Sequence, residues 1–256
     1  MEEMMKQMQG KRKRTKKENV RMALIVLFWL VLWEIADRVI DNRIILVGPT
    51  HILMALAEQV GQSDFWVTCG ASFLRIAVGF VLSFIGGFVL ALVCYRYKLI
   101  RDFLEPIMIM LKTVPMISFV IMLLIWVGNQ ALTIYLSFLI VLPIIYTNTL
   151  QGLQSVDVQL LEMAQVYGFT RRRTLRLIYL PSLRPWFRSA CLTSLGLAWK
   201  SGVAAEVLCQ PRQAIGTQLY FAKIYLETDQ LFAWTAVVIL LSVLLEQLLR
   251  RLLQRL

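Results

Sequence analysis

The chain has 256 residues, of which 58% are hydrophobic, and a mean hydropathy of +0.66; soluble domains carry roughly 45 to 50% apolar residues. Its 27 Lys and Arg against 16 Asp and Glu leave a formal charge of +11. Only 17% of the residues are charged, which argues against the solvated basic face of a nucleic-acid-binding domain and for a membrane protein with basic ends and loops.

In chain order, residues 1–21 form a basic tail that holds eight Lys and Arg, including Lys11-Arg12-Lys13-Arg14. The apolar run from Met22 to Leu32 continues through Trp33, Glu34 and Ile35 with no small-x-small cleavage pattern, so it predicts an uncleaved first helix. Near its outer end Glu34 and Arg38 stand one turn apart and can pair. After Gly48-Pro49-Thr50, the spacing of Ile52, Leu53, Leu56 and Val60 predicts a short amphipathic helix outside the membrane, and residues 22–64 make one unit with the first crossing. A second crossing at 72–95 is free of charge from Ile76 to Tyr95, and Gly79, Gly86 and Gly87 permit close helix contact.

Beyond the basic connection Arg96 to Arg101, no Asp, Glu, Lys or Arg occurs from Thr113 to Val156. That run is more than twice the roughly 20 residues of one crossing. Gly128-Asn129-Gln130 divides it into a third span, 105–127, and a fourth, 131–150, with Pro115 and Pro143 as kink sites. A loop at 151–185 leads to a fifth span, 186–208, a sixth, 231–249, and a tail, 250–256. If both termini are cytoplasmic, twenty basic residues fall inside and four (Arg38, Arg43, Arg212, Lys223) outside, as the positive-inside rule requires. The expected class is an all-α integral membrane protein with six transmembrane helices and cytoplasmic termini, its inner charge attracted to anionic membrane lipids. Trp29, Trp33, Trp66, Trp126, Trp186 and Trp234 are expected to anchor at the membrane interfaces. Cys69, Cys94, Cys191 and Cys209 lie far apart and His51 stands alone, so no metal or other cofactor is expected and the thiols read as small buried side chains.

The inner loop is the most patterned part of the chain. Asp157 is placed to cap a helix over 158–167, Gly168 to end it in a left-handed conformation, and Thr170 to cap a second helix that reaches Leu180 before Pro181 stops it. Glu162-Met163-Ala164, three residues, Gly168, nine residues, then Ile178-Tyr179-Leu180-Pro181 resembles the EAA signature of ABC importer permeases at every spacing, with Met163 in place of the second alanine. The resemblance extends from Trp66 to Leu249, and residues 65–249 are accordingly taken as the transporter domain. Ser72-Phe73-Leu74-Arg75, continuing to Gly79-Phe80, and Ala198-Trp199 through Ala204-Ala205-Glu206 look like the nitrate/sulfonate/taurine branch. Val47-Gly48-Pro49-Thr50 departs from that branch's Pro-Ser-Pro, which leaves the substrate open among a sulfonate, nitrate, a vitamin precursor or a similar small solute.

The resemblance implies that Glu162, Met163, Ala164, Gly168, Ile178, Leu180 and Pro181 belong to a coupling loop that docks on a cytoplasmic ABC ATPase dimer. It also implies a second permease copy that shares the substrate path and an extracellular or periplasmic substrate-binding protein. In that scheme Gly168 sets the angle between the loop helices and Glu162 makes a polar contact at the docking groove. The chain has no GxxxxGK[ST] phosphate loop, so ATP hydrolysis is expected on a separate subunit rather than on this one.

Arg75, Lys112, Lys200 and Glu206 are ionisable residues in or at the edge of the spans, and Lys112, near the inner end of the third, is open to the same two readings as Arg75. Lys200 and Glu206, six positions apart and about 120° around a helix, either line the translocation path or a dimer interface or, for Lys200, pair with a carboxylate elsewhere. Arg75 either attracts an anionic substrate or snorkels to headgroups. The alternative of an ion-gradient-driven secondary transporter or channel predicts inverted repeats with paired broken helices, and the sequence displays no internal repeat. A membrane-embedded enzyme lacks a Ser-His, Cys-His or carboxylate pair at catalytic spacing.

Overall fold

Long apolar stretches punctuated by Gly and Pro make the described residues predominantly helical, since in hydrocarbon a backbone must satisfy its own hydrogen bonds. The computed structural model describes residues 16–42 and 44–255, and the side chains within 20–42 and 44–253. The basic block before Lys16, the side chains of Lys16 and Lys17, Arg43, and the side chain of Arg255, all used in the topology reading, lie outside the described residues. The helices are α1 (Lys16–Ile40), α2 (Pro49–Val60), α3 (Ser63–Arg96), α4 (Lys98–Thr113), α5 (Met116–Gln154), α6 (Val158–Val166), α7 (Arg171–Thr174), a π-helical turn (Leu175–Tyr179), α8 (Leu180–Cys209), α9 (Ile215–Ile224) and α10 (Thr228–Arg255). No strand occurs among the described residues. By length and apolarity α3, α5 and the Thr228–Leu253 part of α10 are each able to cross a membrane.

Small polar side chains are buried and large apolar ones face outward alongside the apolar core. Ser72, Ser83, Thr133, Ser137, Thr149 and Ser194 are buried between helices, whereas Leu74, Val81, Leu82, Ile85 and Val89 of α3 point outward. Lipid is as apolar as leucine, so small residues that let backbones approach do the packing. At Gly79 a Cβ would sit 2.5 Å from the Ile134 carbonyl oxygen, and at Gly87 3.0 Å from that of Leu142; this explains two of the three glycines singled out in the second span. The centre of the fold is the mutual packing of α3, α5 and α8. There Ile76, Val141, Ile145, Ala198, Trp199 and Val203 form one cluster, extended by Ile215 of α9 and Trp234 and Val237 of α10. The four cysteines are free and buried.

Helix α1 joins this body through its C-terminal end. The Thr50 hydroxyl donates to Glu34 at 2.9 Å, Trp33 packs against Phe232, and Arg38 pairs with Glu34 at 3.3 Å, as the one-turn spacing predicts. The apolar residues of α1 from Met22 to Leu32 are exposed.

Several boundaries differ from the sequence reading. The second span's helix begins nine residues before 72, at Ser63, because Gly61-Gln62 is the first break upstream. The third span is not one helix: Val114 and Pro115 are extended between α4 and α5, since a residue before proline is pushed out of the α region. Gly128, with φ 71 and ψ 179, breaks α5 as expected; Leu132 and Leu136 beyond it join the same cluster as Phe119, Val120 and Leu123 before it. Pro181 does not stop its helix. The chain stays helical from Arg171 to Cys209, and the wider π turn at Leu175–Tyr179 ends two residues before the proline, whose ring and missing N–H a regular α turn accommodates poorly. Trp234 is buried against Phe65, with ring centroids 5.2 Å apart, rather than anchored at an interface.

Candidate functional site

The loop between α5 and α8 is built by local hydrogen bonds that the sequence anticipates. Asp157 Oδ1 accepts from the Gln159 amide at 2.9 Å and starts α6. At the other end Gly168 takes φ +63, its amide donates to the Gln165 carbonyl at 3.0 Å, and the Phe169 amide donates to that of Ala164 at 2.8 Å. These are the two bonds of a Schellman cap, and they require the left-handed residue at their centre. Thr170 Oγ1 then accepts from the Arg173 amide at 3.4 Å and opens the next helix.

One side of this helical pair is sealed. Ala164, Val156 and Ile178 form a small core, with Leu161, Phe169 and Tyr179 packed against it. The Arg173 guanidinium lies 4.5 Å above the Phe169 ring, and Tyr179 reaches the Tyr95 hydroxyl at the end of α3 at 3.3 Å. The small alanine and the glycine of the signature thus permit a tight turn, and Ile178 is its floor. The opposite side is open and apolar: Val158, Leu160, Met163, Val166 and Tyr167 are exposed, with Val166 at 85%. Glu162 is exposed on the same short helix, as are Leu180 and Pro181 beyond the π turn. The structure therefore divides the seven signature residues into a buried pair, Ala164 and Ile178, and exposed Glu162, Met163, Gly168, Leu180 and Pro181.

A second polar constellation unites Arg75 with Glu206. Glu206 is fully buried. It accepts from the Ser72 hydroxyl at 2.8 Å and from the Gly216 amide at 3.3 Å, and its other oxygen lies 3.7 Å from the Arg75 guanidinium. Arg75 also donates to the carbonyls of Arg212 at 2.6 Å and Gln213 at 3.1 Å, so its side chain turns into the protein rather than toward headgroups. Ser72 Oγ in turn accepts from the Ile215 amide at 2.9 Å. These bonds hold the connection between α8 and α9, in which Gln210 (φ 48) and Gln213 (φ 49) are left-handed, at a cost of about 1–2 kcal/mol each. Gly216 is required there: a Cβ would lie inside 3 Å of the Glu206 and Val207 backbone.

Lys200 is not part of this constellation. It lies on the exposed stripe of α8 with Leu197, Ala204 and Leu208, and no hydrogen bond or ion pair engages it among the described residues. The 120° separation expected from the helical period is what places Glu206 inward and Lys200 outward. The sequence reading overlooked Ser72 as a partner and the 210–217 connection altogether. The available signal was the three-residue spacing of Ser72 and Arg75, which puts both on one helix face.

The comparisons with known proteins agree with one another. Residues 83–256 match the family described as binding-protein-dependent transport system inner membrane component. The taurine transport system permease protein of Escherichia coli strain K12 is 27% identical over 241 residues, covering 92% of this chain and 86% of that protein. The formylaminopyrimidine transport permease protein of Halalkalibacterium halodurans is 28% identical over 190 residues, covering 72% and 74%. The nitrate import permease protein of Leptolyngbya laminosa is 30% identical over 148 residues, covering 57% and 53%. Among solved structures, a bacterial ABC transporter involved in the import of the acidic polysaccharide alginate superposes with a TM-score of 0.62 at 16% identity, covering 92% of this chain and 94% of that one; it shares the fold.

Proposed function

The chain belongs to the binding-protein-dependent transport system inner membrane components, the permeases of ABC importers, and from that premise we propose that it couples a substrate path to a separate ATPase through the loop at 157–181. The observation that carries this reading is the two-sided loop: one side closes through Ala164 and Ile178 on the loop's own small core, which Tyr179 ties to Tyr95 of α3, and the other is an exposed apolar surface around Met163 and Val166. A surface so fastened transmits displacement, because any push on α6 passes through the Schellman turn and the continuous helix into α8. Closure of an ATP-bound ATPase dimer supplies that push, and Glu162 contributes a polar contact at the rim of the docking groove.

In this reading the chain crosses the membrane six times with both ends in the cytoplasm, the orientation favoured by the 20-to-4 distribution of basic residues. Residues 65–249 act as the transporter domain. Two copies enclose the path, and a substrate-binding protein docks on the outer face, where α2, α9 and the Arg75–Glu206 constellation stand. The Arg75–Glu206 pair braces that face rather than contacting cargo. The cargo is a small solute of the kind named for the relatives, such as a sulfonate, nitrate or a vitamin precursor.

The test is recovery of the ATPase with affinity-purified, detergent-extracted permease. Glu162→Lys and Val166→Asp are each expected to lower the recovered ATPase by roughly tenfold, which corresponds to about 1.4 kcal/mol of interface energy, while gel-filtration behaviour is unchanged. Undiminished recovery and undiminished uptake in both variants would refute the coupling role.

A further inference from the structure

A cavity of about 470 Å³ opens where α4 ends, α5 begins and α8 passes. Its walls are largely apolar: Val114 and Met116 flank the break between α4 and α5, Pro143 comes from the far limb of α5, and Leu197 and Ala204 come from the exposed stripe of α8. Against that background it holds two cations, Lys112 and Lys200, and no carboxylate lines it. Lys112 is held by a neutral partner, its ammonium donating to Thr147 Oγ1 at 2.7 Å. Lys200 has no hydrogen-bond or ion-pair partner among the described residues. The first turn of α5 opens on the same space at Met116, and its cap carries no side-chain hydrogen bond, so the positive end of a helix dipole adds to the field.

A charge at membrane depth is costly unless it is paired or faces an aqueous path, and a broken helix beside a cavity is where transporters hold anionic groups. We propose that this cavity is an anion station of the translocation path and that the cargo is a small organic or inorganic anion, a sulfonate, carboxylate or nitrate, drawn to Lys200 and passed toward Lys112. The inference rests on the permease reading and narrows its substrate class. Lys200 is a binding residue in this scheme; the apolar walls limit the number of waters that compete with it for the anion, and the cavity has the size of a small-solute site.

The test measures the cavity's charge preference without the ATPase, in full-length permease in nanodiscs of zwitterionic phosphatidylcholine, which keeps anionic headgroups out of the comparison. Ala204→Cys places a thiol one turn from Lys200 on the same exposed stripe, and the four native cysteines, all buried, set the background. The thiol is treated with 2-sulfonatoethyl methanethiosulfonate and with its 2-(trimethylammonio)ethyl counterpart, and the ratio of rates is normalised to that of free cysteine. The normalised ratio is expected to favour the sulfonate on the order of tenfold, to fall severalfold when Lys200→Gln is added and further toward one when Lys112→Gln is added as well, and to be kept by Lys200→Arg. A ratio of one with Lys200 present, or no reaction with either reagent, would overturn the proposal. Either result leaves ATPase recovery untouched, so loss of this inference is distinguishable from loss of the coupling reading.

Discussion

Gly168 offers the sharpest perturbation of the coupling loop. It sits at φ +63 with no heavy atom within 4 Å of where a Cβ would stand, so a substitution there meets no steric neighbour and its whole effect is on the backbone. Leaving the left-handed region sacrifices the Gly168-to-Gln165 and Phe169-to-Ala164 bonds; staying in it costs an L-residue about 1–2 kcal/mol. Gly168→Ala therefore lowers the population of the formed turn by about fivefold to thirtyfold. Gly168→Val is worse, because a β-branched side chain is an outlier in that region, whereas Gly168→Asn is close to wild type, asparagine being the residue that most readily replaces glycine at this cap. Hydrogen exchange of the segment 164–170 in nanodiscs reads the turn directly, and ATPase recovery reads its consequence. The order expected in both assays is Gly, Asn, Ala, Val. A Gly168→Val protein as protected and as well associated as the asparagine variant would show that the turn is not what holds α6 in position.

The remaining predictions concern the bundle. Glu206→Ala strips the carboxylate from Arg75, Ser72 and the Gly216 amide and is expected to cost about 3–5 kcal/mol, the range for breaking a buried pair from one side; Glu206→Gln, which keeps an acceptor for Ser72, costs less, and the two are ranked by the temperature at which the gel-filtration peak is half lost. The same assay separates two glycines of α3. Gly79→Ala drives a Cβ into the Ile134 carbonyl and destabilises, whereas Gly70, with nothing within 4 Å, gains about 0.5–1 kcal/mol as alanine through helix propensity. Cys69, Cys94, Cys191 and Cys209, all buried, should react with a membrane-permeant maleimide only once the protein is denatured; labelling of the native protein by mass spectrometry would contradict their placement.

Features governed by neighbours in sequence were legible before the structure. Asp157, Gly168 and Thr170 each satisfy amides or carbonyls within five residues, so residue type and spacing are enough to identify them. The helical period alone likewise separated Lys200 from Glu206. Pro181 misled because a local rule, that proline ends a helix, is overridden when a π turn widens the helix just before it. The partnership of Ser72 with Glu206 spans 134 positions and depends on how α3 and α8 pack, which no local pattern encodes. The left-handed Gln213 is held by Arg75 against its own propensity, so composition carries no sign of it. Trp234 shows the limit of an aromatic-belt argument: the same residue type serves an interface or a core, and here Phe65 and α10 packing decide.

The central claim is that transport through this chain is driven by a separate ATPase acting on the 157–181 loop. Its most direct test is solute uptake into proteoliposomes that contain the permease, its ATPase and a ligand-loaded binding protein, with enclosed ATP and with ionophores that abolish every ion gradient. The account predicts uptake that requires ATP, survives the ionophores and disappears in Val166→Asp. Uptake that proceeds without the ATPase and collapses with the ion gradient would contradict it and favour a secondary transporter.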